Sequence, residues 1–262
     1  MITDTQQLKS LSESQWKDYH EKGFVHLKSV YNADDIAALN AECDRLLDDR
    51  DLLHEENWRT PFRKFPLGVW RLDKIDPVID ISEVVNRYVH DSRLLDPVSD
   101  CLGDEASLLK DKIIFKGPGQ TGFDPHQDWT WWQPFPQDML SAMVAIDGAD
   151  ASNGALEVYP SKHQEYLLPL GELRPIKTPE ELGQFDEHAW QMIETEPGDV
   201  ILFHCLTPHR SGTNVSDKSR RQMYLTYNAA KHGDLYEAHY KHYEAYVTAN
   251  LNDFFKPRQF FR

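Results

Sequence analysis

Three cysteines, Cys43, Cys101 and Cys205, are odd in number and widely scattered, which excludes a disulfide framework, and with no Cys-x-x-Cys pair they make no cysteine zinc site. Reduced thiols in a reducing compartment are expected. Long apolar runs are also missing. Stretches such as Asp199-Val-Ile-Leu-Phe-His204 are a few residues long, whereas crossing a bilayer as a helix takes about 20. The opening Met1-Ile-Thr-Asp-Thr-Gln6 shows no cationic stretch followed by an apolar one, so the expectation is no secretory leader and a cytoplasmic location. Basic charge is in deficit, 28 Lys plus Arg against 43 Asp plus Glu, a net charge of -15 at pH 7. That field disfavours nucleic acid and anionic membranes as partners, and still allows a local basic pocket. Repeats, low-complexity tracts and Gly/Ser linkers are absent, so residues 1–262 read as one domain.

What is present is a globular composition, 40% hydrophobic and 27% charged over 262 residues. Helical spacing of apolar residues predicts helices over Ser12–Lys22, Ala33–Asp51, Ser82–Leu102 and, at the tail, Leu235–Leu251. Short alternating or apolar runs predict strands at Gly23–Leu27, Lys112–Lys116, Leu140–Ile146, Ala155–Tyr159, Val200–His204 and Gln222–Tyr227. Gly117-Pro-Gly119, Asn153-Gly154 and Pro197-Gly-Asp199 set them apart. The expected fold is mainly β with flanking helices, an antiparallel sandwich or jelly roll.

The chemistry-bearing residues start with His126-Gln-Asp128. Side chains two apart on an extended segment share a face and can bind one metal ion side by side. With 12 histidines, and Asp at about a tenth of positions, roughly one His-x-Asp arises by chance, and a second copy stands at His232-Gly-Asp234. The rest of the set separates them. A two-histidine, one-carboxylate site for non-haem Fe(II) needs a remote second histidine, and His209 follows the apolar strand at Val200–His204. Ser211 comes two residues later and Arg220 eleven residues after His209. A guanidinium and a hydroxyl suit the far end of a dicarboxylate. Arg221 points to the opposite strand face from Arg220, so one of the two reaches the pocket.

Four stretches together resemble the phytanoyl-CoA dioxygenase-like Fe(II)/2-oxoglutarate oxygenases. They are Tyr19-His-Glu-Lys-Gly-Phe-Val25, Pro125-His-Gln-Asp128, Asn153-Gly-Ala-Leu-Glu-Val-Tyr-Pro-Ser161 with His163, and His209-Arg-Ser-Gly-Thr-Asn-Val-Ser216 leading to Arg220. The resemblance implies a double-stranded β-helix, with His126, Asp128 and His209 on iron and Arg220 and Ser211 on 2-oxoglutarate. It further implies that Lys112, Lys74 and Met143 help hold that co-substrate. Asp128, where a halogenase has Gly or Ala, implies hydroxylation with O2, releasing succinate and CO2. Tyr224-Leu-Thr-Tyr-Asn228 followed by His232-Gly-Asp234 resembles the bacterial branch that includes 2-aminoethylphosphonate hydroxylases.

Trp129, Trp131 and Trp132 directly after Asp128 are either a packed aromatic layer or a substrate wall with a face for an ammonium group. Arg63, Lys64 and Arg71 are candidates for an anionic substrate group. A small polar zwitterion is the expected substrate. An acyl-CoA or secondary-metabolite hydroxylase, and a metal-binding jelly roll without redox chemistry, stay open as alternatives.

Overall fold

The computed structural model describes residues 7–53, 57–64, 68 and 70–249. Helix α1 (Glu13–Lys22) starts where Ser12 caps it and exchanges hydrogen bonds with Gln15, and it stops at Gly23, whose positive φ turns the chain into β1 (Phe24–Leu27). Asn32 and Asp35 form the same reciprocal cap for α2 (Ala33–Asp48). Three short strands follow, β2 (Phe62–Lys64), β3 (Trp70–Leu72) and β4 (Lys74–Ile75). The helix expected over Ser82–Leu102 is two, α3 (Glu83–Val89) and α4 (Ser92–Leu102). The break comes at Asp91, whose carboxylate accepts from the Arg93 amide and so begins a new helix.

From there the chain runs through β5 (Ala106–Lys116), β6 (Phe123–His126), β7 (Met139–Ala145), β8 (Leu156–Val158), the single-turn α5 (Pro179–Leu182), β9 (Gln191–Ile193), β10 (Val200–His204), β11 (His209–Ser211), β12 (Arg220–Ala229) and α6 (Tyr236–Ala249). The predicted end of the last helix at Leu251 lies outside the described residues. Six strands form one sheet in the order β1-β10-β7-β12-β5-β4 and four form a second in the order β6-β11-β8-β9; β2 and β3 pair with each other. Every pairing among these strands is antiparallel. Between β5 and β12 the chain passes repeatedly from one sheet to the other, so residues distant in sequence face one another across the gap.

Strand β7 is buried along its whole length, which explains its unbroken apolar run. Met143 and Ala145 pack inward with Ile201, Phe203, Leu156 and Val158, whereas Leu140, Ala142 and Val144 join Leu39, Leu46, Val85, Leu94 and Val98 from the helices on the outer face. The large sheet is therefore a rigid wall fixed from both sides. In the small sheet, β6, β9 and β11 are three or four residues long, too short for a periodicity signal.

Candidate metal centre

Pairing of β6 with β11 sets His126 directly opposite His209. Their rings lie 4.1 Å apart, centroid to centroid. Gln127 keeps an extended backbone before a 3-10 turn begins at Asp128, which brings the carboxylate back to the same face as His126. One donor atom from each of His126, Asp128 and His209 lies within 4.8 Å of the others, and this is the one such group among the described residues. Asp128 Oδ1 is 3.8 Å from His126 Nε2 and 3.7 Å from His209 Nε2.

The surroundings fix those donors for a cation. His126 Nδ1 donates to the Asp124 carbonyl at 2.7 Å and His209 Nδ1 to the Thr207 carbonyl at 2.9 Å, which leaves both Nε2 lone pairs facing the centre. Burial, with His209 beside it, holds His126 well below its ordinary pKa, so it is the neutral imidazole that a metal requires. Asp128 is opposed by burial, yet His209, Lys112 and His126 keep it below the usual carboxylate range. Its second oxygen accepts from Ser141 on β7 at 2.7 Å. Two inward-facing imidazole nitrogens, one oriented carboxylate and an open side suit Fe(II). The rival pair does not assemble: His232 is bound to Asp138 at 2.9 Å, and the Asp234 carboxylate accepts from the Tyr236 amide.

Ser211 lies two residues beyond His209 on the same strand, about 6.6 Å along it at the usual strand rise. Arg220 and Lys116 are cross-strand partners at the adjoining ends of β12 and β5, both almost fully buried. Arg220 Nη1 donates to the Gly154 carbonyl at 2.6 Å, and Lys116 Nζ to Ser211 Oγ at 3.0 Å. Burial, then Arg220 and Arg63, push the Lys116 ammonium down to about 7. Lys116 was not singled out by the sequence; its i+4 spacing from Lys112 on one face of β5 was the available signal. Asn153-Gly154, read as a plain turn, supplies the carbonyl on which both cations converge. Arg221 faces away and grips Asp147 through two bonds of 2.8 Å.

A cavity of about 640 Å³ opens beside the metal donors, walled by Arg63, Lys74, Lys110, Lys112, Trp131 and Trp132 and by His239, His242, Tyr243 and Tyr246 from α6. Arg220, Ser211 and Lys116 stand behind this wall, next to Phe123, whose amide donates to Ser211 Oγ at 3.3 Å. Met143 is in the core between the sheets, opposite Tyr224. Two substrate expectations need correction. Trp129 does not line the cavity, because the 3-10 turn rotates it into a pocket against Tyr166, with Nε1 donating to the Phe135 carbonyl at 2.9 Å. Arg71 does not line it either and lies beside Gly117, while Arg63 does, held by Asp73 at 3.3 Å and stacked over Phe123 at 4.4 Å. The Lys64 side chain lies outside the described residues. Lys110 and α6 as cavity walls were missed, since nothing local in the sequence says which sheet end a terminal helix covers.

Two antiparallel sheets thus bring together a His-x-Asp pair and a remote histidine able to hold a metal ion, with two buried cations, Lys116 and Arg220, at the neighbouring strand ends. The chain belongs to the phytanoyl-CoA dioxygenase (PhyH) family, which it matches over residues 19–222. It is 32% identical to a 2-aminoethylphosphonate dioxygenase from uncultured bacterium HF130_AEPn_1 over 231 residues, covering 85% of this chain and 82% of that one. It is 28% identical to a methylphosphonate hydroxylase from Gimesia maris, covering 88% and 86%. Among solved structures, EctD from S. alaskensis with 2-oxoglutarate and 5-hydroxyectoine superposes with a TM-score of 0.76 at 25% identity, covering 88% of this chain and 80% of that one. The enzyme is accordingly an Fe(II)- and 2-oxoglutarate-dependent dioxygenase.

Proposed function

We propose that this enzyme hydroxylates a C–H bond of a small zwitterion with an anionic head, an aminophosphonate or close analogue. The observation that carries the reading is the charge of the cavity. Lys74, Lys110 and Lys112 gather around one buried carboxylate, Asp76, which is 3.0 Å from Lys74 and 2.6 Å from Lys110. Lys112 makes no ion pair among the described residues, although burial, then Lys74, lowers its pKa. It faces the Tyr224 ring at 5.2 Å. Asp73, Asp124 and Asp128 line the cavity too, but Asp73 pairs with Arg63 and Asp128 belongs to the metal donors, so three lysines around the single carboxylate of Asp76 leave a positive stretch of wall that suits an anion. Trp131 and Tyr246 line the same cavity and give it aromatic surface for an ammonium or methyl end, whereas the Tyr243 ring is already covered by Lys74 and Lys110.

Iron bound with 2-oxoglutarate and O2 supplies the oxidising power for the C–H bond, and 2-oxoglutarate leaves as succinate and CO2. His126, Asp128 and His209 would hold the iron, with Ser141 fixing the carboxylate. Arg220 and Ser211 would bind the far carboxylate of 2-oxoglutarate, with Lys112, Lys74 and Met143 nearer the reacting end. Lys110 and Arg63 would orient the substrate's head, and Trp131 and Trp132 would exclude water around the C–H bond. The alternation of strands between the two sheets supports a double-stranded β-helix, and we assign residues 1–262 to one such domain. No helix among the described residues is long and apolar enough to cross a membrane. The three buried cysteines form no disulfide, in keeping with a cytoplasmic enzyme working on a metabolite.

The test is substrate-dependent succinate formation with Fe(II), 2-oxoglutarate and O2 across 2-aminoethylphosphonate, methylphosphonate, ectoine and a long-chain acyl-CoA. Turnover highest with an aminophosphonate supports the reading. Turnover highest with the acyl-CoA, or with ectoine, overturns it.

A further inference from the structure

On α6, one buried position holds an imidazole where an apolar side chain would pack at less cost. His239 is 2% exposed and forms part of the cavity wall, on the same helix face as His242, Tyr243 and Tyr246. Aromatic rings enclose it: Tyr240 at 4.9 Å, Phe135 at 5.9 Å, Tyr243 at 6.2 Å and nearly parallel, and Trp132 at 6.4 Å, centroid to centroid. Neither Nδ1 nor Nε2 has a hydrogen-bond partner among the described residues. Burying a polar group unpaired costs stability, and phenylalanine or leucine would fill this space without that cost. With rings on its other sides, the cavity is the remaining source of a partner.

The charges nearby decide what kind of partner. Burial, then Lys110, pushes the His239 imidazole down to about 2, so it is neutral and carries one N–H donor. Asp76 is the opposing charge, but its oxygens are engaged by Lys110 at 2.7 and 2.6 Å, by Lys74 at 3.0 Å and by the Tyr240 hydroxyl at 3.1 Å. Lys110 donates to both oxygens of Asp76 and, among the described residues, has one N–H left for a further acceptor. A neutral N–H beside two ammonium groups favours an oxyanion; the lysines would repel a substrate's ammonium from the same place.

We propose that His239 is a specificity-determining residue: its imidazole N–H donates to an oxygen of the substrate's phosphonate head, with Lys110 supplying charge beside it. The inference rests on the reading above that the substrate has an anionic head, and adds the directional contact that α6 makes to it. A neutral donor bound to a charged acceptor corresponds to about tenfold to a hundredfold in affinity.

The experiment is anaerobic calorimetric titration of the protein loaded with Fe(II) and 2-oxoglutarate, using 2-aminoethylphosphonate as the probe, beside a titration of the Fe(II) protein with 2-oxoglutarate alone. Wild type is compared with His239→Phe, His239→Leu, His239→Asn and His239→Gln; asparagine places an amide near the position of Nδ1 and glutamine near that of Nε2. Expected is an affinity for 2-aminoethylphosphonate weaker by about tenfold or more in the Phe and Leu variants, with 2-oxoglutarate affinity unchanged. One of the two amide variants restores most of the loss. Equal weakening of both ligands in Phe or Leu would make His239 a packing residue of α6 and overturn the inference. Unchanged affinity for the phosphonate in either folded variant, or no recovery in both amide variants, would overturn it as well. Wild type that binds 2-oxoglutarate but not 2-aminoethylphosphonate would overturn the aminophosphonate reading itself and this inference with it.

Discussion

Replacing Arg220 by alanine removes the guanidinium proposed to bind the far carboxylate of 2-oxoglutarate. The side chain is 3% exposed and sits at the first residue of β12, so its loss would leave the carboxylate buried without its charged partner. Truncating one member of a buried, charge-assisted pair costs about 2–5 kcal/mol. Lys116 remains across the strand pair and keeps part of the positive field, which places the loss near the lower end, about 2–3 kcal/mol. At about 1.4 kcal/mol per decade that is a 30- to 150-fold rise in the 2-oxoglutarate dissociation constant. Anaerobic titration of the Fe(II) enzyme reads it directly. Arg221→Ala is the control, because that side chain grips Asp147 on the other face and its loss should leave 2-oxoglutarate affinity unchanged. An unaltered constant in Arg220→Ala, with impairment in Arg221→Ala, would show that the strand faces have been assigned the wrong way round.

Ser141→Ala removes the 2.7 Å bond that holds the second oxygen of Asp128, and should weaken Fe(II) binding about 10- to 100-fold in a metal-competition assay without unfolding the protein. Asp76→Asn leaves Lys74 and Lys110 buried without their shared counter-charge, a loss of about 3–5 kcal/mol, or on the order of 10 °C in melting temperature. Burial, with His163 nearby, pushes His204 down to about 4, so the unfolded chain takes up this proton first as pH falls. Stability from this group is full above pH 6.5 and is lost toward pH 4, by up to about 3 kcal/mol. Denaturant melts across that window should show a smaller loss in His204→Gln than in wild type.

Reading the sequence reached the metal site because its logic is local and chemical. His126 and Asp128 share a strand face, and His209 follows the apolar run of β10 at loop distance. The facing of Arg220 and Arg221 is likewise fixed by strand alternation. What it missed depends on long-range pairing. Lys116 acquires its role only when β5 pairs with β12 and β11 crosses from the other sheet, and Ser141 meets Asp128 only across that gap. The tryptophans show the same limit from the other side: three in four residues suggest one wall, but the 3-10 turn at Asp128–Trp131 sends Trp129 into the core and leaves Trp131 and Trp132 on the cavity. In the helical region, a single apolar periodicity hid the break at Asp91, where a side-chain cap outweighs pattern.

The central claim is that His126, Asp128 and His209 hold Fe(II) where 2-oxoglutarate can join it. Anaerobic addition of 2-oxoglutarate to the Fe(II)-loaded protein tests it most directly. The account predicts a weak visible charge-transfer band that is absent in His126→Ala and retained in His232→Ala. No band in wild type, or a band lost in His232→Ala and kept in His126→Ala, would contradict it.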